Sequence, residues 1–131
     1  MPKIKLPKDS TGYFKNRIIT NELINRFDTS LVEIMDGMFE GATFVEDVDL
    51  NCWDVSKVKS MKNMFRKAKG KSPNISNWNV SNVMDMSGMF SYSTFDGDIS
   101  RWDVSNVRDM SYMFAESKFN GDISQWDVSN V

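Results

Sequence analysis

Four tryptophans each open the same four-residue phrase, and no other feature constrains the fold as much. The phrases are Trp53-Asp54-Val55-Ser56, Trp78-Asn79-Val80-Ser81, Trp102-Asp103-Val104-Ser105 and Trp126-Asp127-Val128-Ser129, at intervals of 25, 24 and 24 residues. Eleven residues after each of the first three comes a Met-Phe pair: Met64-Phe65, Met89-Phe90 and Met113-Phe114. Met38-Phe39 is a fourth pair, with Phe27 in the tryptophan position of a diverged first copy. Copies therefore start near residues 24, 50, 75 and 99, and a partial one starts at 123. Repeats of this length are units that bury their apolar faces only against one another.

Within one unit, Trp and the Val two residues on share a face if extended, which predicts a short strand. Val107, Met110, Met113 and Phe114 then recur at helical steps, predicting about two turns of α- or 3₁₀-helix. Ser56, Ser81 and Ser105 stand where a hydroxyl caps such a helix. Phe95-Asp96-Gly97-Asp98 and Phe119-Asn120-Gly121-Asp122 read as turns into the next strand. The expected fold is α/β: a short right-handed solenoid, one parallel strand and one short helix per coil, over residues 24–131. Residues 1–23 are expected to form an N-terminal arm and cap, with Asn16–Leu23 over the first coil.

The wording Trp-Asp-Val-Ser-Asn-Val, Met-Ser-x-Met-Phe and Phe-Asn-Gly-Asp-Ile-Ser resembles the repeats of BspA-like leucine-rich-repeat surface proteins, mycoplasma lipoproteins among them. The resemblance covers residues 24–131 and is strongest from Trp78 onward. It implies a leucine-rich-repeat-like fold and a role in protein binding or adhesion, and it brings no catalytic residues. The first copy is diverged, the repeats are few, and no export signal is seen.

Composition narrows the chemistry. With no histidine, Ser-His-Asp and Cys-His catalysis and imidazole metal sites have no residue to use. The single cysteine, Cys52, leaves no disulfide within the chain and no cysteine-rich zinc site, and is expected to be a small buried residue. Asp47-Val48-Asp49-Leu50-Asn51 starts like a calcium loop, but Cys52 replaces the glycine and Val58 the final glutamate. No catalytic residue, cofactor or metal is expected. The skew toward Met, Phe and Trp is one coil's core multiplied, with the aromatic column and the methionine stripe both inside. No apolar run is long enough to span a membrane, so the chain as written is expected in the cytoplasm, or at the cell surface if it is part of a larger adhesin.

Charge is patterned although the net is only −2. Asp28 to Asp54 holds eight acidic residues and no basic one, and Val55 to Lys71 seven basic and no acidic one. The repeat register pairs Glu33, Asp36 and Glu40 with Lys59, Lys62 and Arg66, predicting ion pairs between neighbouring copies. Lys57, Lys67, Lys69 and Lys71, with Glu46, Asp47 and Asp49, find no partner in that register. With Met84 and Tyr112, which fall outside the apolar positions, they are the candidate partner-binding residues. Nucleic-acid binding through the 57–71 run is a lesser reading. The last copy stops at Val131 without its Met-Phe stripe, so Trp126, Val128 and Val131 are candidates for self-association. The expected function is a non-enzymatic protein–protein interaction module. A phage- or mobile-element-encoded inhibitor of a host defence protein and a bacterial adhesin are the alternatives.

Overall fold

The computed structural model describes residues 2–131. Regular elements are few and short. They are β1 (Ile4–Lys5), β2 (Ile18–Ile19), α1 (Asn21–Ile24), β3 (Phe27–Asp28), β4 (Thr43–Phe44) and β5 (Lys69–Gly70). β1 pairs with β3, and β4 lies between β2 and β5, all in parallel. Thr20 caps α1, its hydroxyl accepting from the Leu23 N–H. The remaining chain is turns, bends and isolated bridges.

This corrects the expected α/β leucine-rich-repeat solenoid. Neither the Trp-x-Val segments nor the methionine stripes form the strand and helix assigned to them, and the one helix among the described residues is α1, in the chain before the tryptophan repeats. The backbone bonds give the reason. In the stripe of the second copy, Met64, Arg66 and Ala68 donate to the carbonyls three residues back, as in a turn. The amides between them point elsewhere: Met61, Asn63, Phe65 and Lys67 donate to Asp85, Ser87, Met89 and Ser91 of the next copy, at 2.8–2.9 Å. A helix would use every amide internally. Here half of them tie one layer to the next, and the three-residue apolar period comes from a chain of turns.

Such a path needs left-handed backbone twice per layer. One column is Gly12, Gly37, Asn63, Gly88 and Tyr112; the other is Asn16, Gly41, Lys67, Tyr92 and Glu116. All ten have φ between 52° and 69°. Glycine adopts this region without penalty, and asparagine more readily than most residues.

The Trp-x-Val segments are joined mainly through side chains. The indole N–H groups of Trp53, Trp78, Trp102 and Trp126 donate to the carbonyls of Ile24, Leu50, Ile75 and Ile99 in the preceding layer, at 2.7–3.2 Å. Asn82, Asn106 and Asn130 donate in the same way to Ser56, Ser81 and Ser105 carbonyls. The hydroxyls of Ser56, Ser81 and Ser105 do not cap helices; they donate to Asp54, Asn79 and Asp103, closing the turns.

Inside, Phe14, Phe39, Phe65, Phe90 and Phe114 form a column with ring centroids 5.4–5.8 Å apart and planes within 10°. Flat rings suit this arrangement because layers about 4.8 Å apart permit offset stacking. Phe14 precedes the tryptophan repeats. Ser10, Gly12, Phe14 and Asn16 donate to Ile34, Asp36, Met38 and Glu40, so residues 10–16 follow the register of the later copies. The sequence carries the signal: Asp9-Ser10-Thr11-Gly12-Tyr13-Phe14 matches Asp85-Met86-Ser87-Gly88-Met89-Phe90. The tryptophans 53, 78 and 102 and most stripe methionines are buried, while Trp126 and Met110 are half-buried.

Candidate functional site

A groove of about 800 Å³ runs across the layers, lined by Glu33, Lys57, Lys59, Asn82, Met84, Asn106, Arg108 and Asn130. Two columns build it. Glu33, Lys59, Met84 and Arg108 occupy one position in successive copies; Lys57, Asn82, Asn106 and Asn130 occupy another, two residues earlier. Their backbones are held by Lys59 N–H donating to the Glu33 carbonyl and Arg108 N–H to that of Met84, at 2.7 and 2.8 Å. Lys59 pairs with Glu33 at 3.1 Å. Lys57 and Arg108 make no ion pair among the described residues, and the Met84 side chain lies exposed between the cationic layers.

A second, smaller depression of about 380 Å³ includes Lys62, Asn63, Arg66, Ser87, Gly88, Ser91, Tyr92, Asp109, Ser111 and Tyr112 in its lining. Tyr92 is 57% and Tyr112 80% exposed. The Arg66 guanidinium lies 5.8 Å from the Tyr92 ring centroid and pairs with Glu40 at 3.4 Å. The Ser111 hydroxyl and N–H hold the Asp109 carboxyl below its usual range, with a smaller contribution from Lys62.

The predicted partner-binding residues do not converge on one site. Lys57 and Met84 line the groove and Tyr112 the smaller depression. Lys69 and Lys71 flank a crevice of about 10 Å³, and Lys71 reaches Asp47 at 3.8 Å. Glu46 and the Asp47 carbonyl accept from the Asn21 amide, whose oxygen accepts the Asp49 N–H. Lys67 is exposed on left-handed backbone. Val128 and Val131 are exposed, and Trp126 stacks on Trp102 with centroids 6.3 Å apart.

The basic run wraps around its layer rather than forming one patch, and Lys59, Arg66 and Lys71 each meet an acid. Of the three expected inter-copy pairs, two form. Asp36 instead accepts from the Ser60 hydroxyl and the Lys62 backbone N–H. Cys52 is exposed, not buried, its thiol 3.4 Å from the Asp49 carbonyl.

The sequence reading did not place Arg108, Tyr92 or the Asn82, Asn106 and Asn130 column in a site. Stepping the repeat period from Lys59 through Met84 reaches Arg108, so that signal was present. The joint bordering of one depression by Tyr92 and Tyr112 has no such linear signal.

The fold and these surfaces define a repeat-built protein with two open depressions on its layered faces. The family described as "Mycoplasma protein of unknown function, DUF285" matches residues 7–93 and 70–131, and the chain belongs to it. No curated protein and no solved structure matches the chain. No helix among the described residues is long and apolar enough to cross a membrane.

Proposed function

We propose that the chain is a non-enzymatic protein-interaction module that docks its partner in the groove between Lys57 and Arg108. The observation carrying this reading is the groove itself: unpaired cations flank an exposed methionine on backbone tied layer to layer. An adaptable apolar side chain between charges suits an interface whose centre is apolar and whose rim is polar. The finer kinship, with BspA-like surface proteins and their adhesive role, draws support from the repeat wording together with the Mycoplasma family match.

The test is capture of partners from host-cell extract by the wild-type chain and by a Lys57→Glu/Arg108→Glu variant. The captured protein should be lost from the variant while its melting temperature stays within a few degrees. Retention of every captured protein would overturn the groove assignment.

A further inference from the structure

We propose that the depression between Tyr92 and Tyr112 is a second, separate binding site, and that its ligand is a neutral saccharide. The first observation is conformational. Tyr112 stands in the left-handed column otherwise filled by Gly12, Gly37, Asn63 and Gly88, and Tyr92 in the other, between Lys67 and Glu116. Their φ angles are 57° and 56°, in a region that disfavours bulky side chains. Both rings are largely exposed; Tyr112 makes no aromatic contact among the described residues, and the Tyr92 ring meets the Arg66 guanidinium. Tyr112 thus holds a left-handed position that Gly88 fills in the adjacent layer, and it borders the same depression as Tyr92.

The second observation is chemical. Arg66 is already engaged by Glu40 and by the Tyr92 ring, so its charge is offset and its plane is fixed. Lys62 and Asp109 add one charge of each sign to the lining, the Asp109 carboxylate also accepting from the Ser111 hydroxyl and N–H. The surface is therefore balanced in charge, which gives an anionic peptide or a nucleic-acid backbone no net pull. Its lining is serine hydroxyls, asparagine, lysine and aspartate, with tyrosine rings as the main apolar surface. A sugar ring matches that mixture: its C–H face lies on a tyrosine, while its hydroxyls exchange hydrogen bonds with Lys62, Asn63 and Asp109. A volume of about 380 Å³ holds one or two sugar residues, and a lining that mixes polar and apolar surface is not the dry pocket an apolar peptide anchor needs.

The experiment is an array of neutral oligosaccharides probed with the labelled wild-type chain, the Lys57→Glu/Arg108→Glu variant and a Tyr92→Gly/Tyr112→Gly variant. Any hit is followed by calorimetric titration with that sugar, and all three proteins are melted by circular dichroism. The wild type and the groove variant should bind the same sugars. The tyrosine variant should lose at least tenfold in affinity while melting no lower than wild type, because glycine relieves the left-handed strain. The proposal is overturned if no neutral sugar binds at millimolar concentration, or if the double glycine variant binds unchanged. It is also overturned if the tyrosines are needed only for a protein partner.

Discussion

At the residue scale, tryptophan recurs because its ring and its N–H do different jobs. The ring packs in the core, and the N–H ties a carbonyl of the preceding layer, at Leu50, Ile75 and Ile99 one that also accepts from a backbone amide of its own turn. Trp78→Phe keeps an aromatic but removes the 2.7 Å indole bond to the Leu50 carbonyl, leaving it only the Trp53 N–H at 3.1 Å. Losing one of two donors to a carbonyl costs about 0.5–1.5 kcal/mol, so urea unfolding should show a loss in that range. Two glycines give a sharper contrast. A Cβ on Gly12 meets nothing within 4 Å, so Gly12→Ala should cost only the left-handed backbone penalty of about 1–2 kcal/mol. At Gly70 a Cβ would fall 2.2 Å from the Phe44 carbonyl oxygen of the paired strand. Gly70→Ala should therefore be clearly the more damaging of the two, as read from their denaturation midpoints.

At the element scale, the tie between layers was legible while the element type was not. The register that aligned Glu33 with Lys59 and Glu40 with Arg66 came from counting residues, and both pairs form. Spacing alone does not tell a helix from a chain of turns, because both place every third residue inward. The difference lies in where alternate amides donate, which depends on the neighbouring copy. Local cues existed: Asp85-Met86-Ser87-Gly88 joins a turn-closing aspartate and serine to a left-handed glycine, a poor sequence for a helix interior. The Lys59–Glu33 pair is partly exposed, and pairs of this kind contribute about 0.2–1 kcal/mol. Lys59→Glu should lower stability by roughly that amount, and adding Glu33→Lys should restore most of it. A double-mutant cycle in low salt measures the coupling.

At the scale of the whole molecule, acid should weaken the turns of all the layers together. Serine or threonine two residues on holds Asp9, Asp54, Asp98, Asp103, Asp109 and Asp127 below the ordinary carboxyl value of 3.8, the hydroxyl contributing more than the N–H. At Asp28 and Asp122 the N–H contributes more. A carboxyl whose native pKa lies below its unfolded value adds stability above that unfolded value and loses it as pH falls through the native one. The melting temperature should thus respond little to these groups above about pH 5 and fall below about pH 4. The site was less legible than the layers. Lys67, Lys69 and Lys71 stood out as a run, yet a turn-rich layer spreads consecutive residues around its circumference, and the groove gathers residues 24–26 apart instead.

That contrast gives the most direct measurement: a lysine-reactive footprint of the chain, free and bound to its captured partner, read by mass spectrometry. Protection of Lys57 and Lys59, with Lys67 and Lys69 still reactive, is the expected result. Protection confined to Lys67, Lys69 and Lys71, with Lys57 unchanged, would contradict docking in the groove.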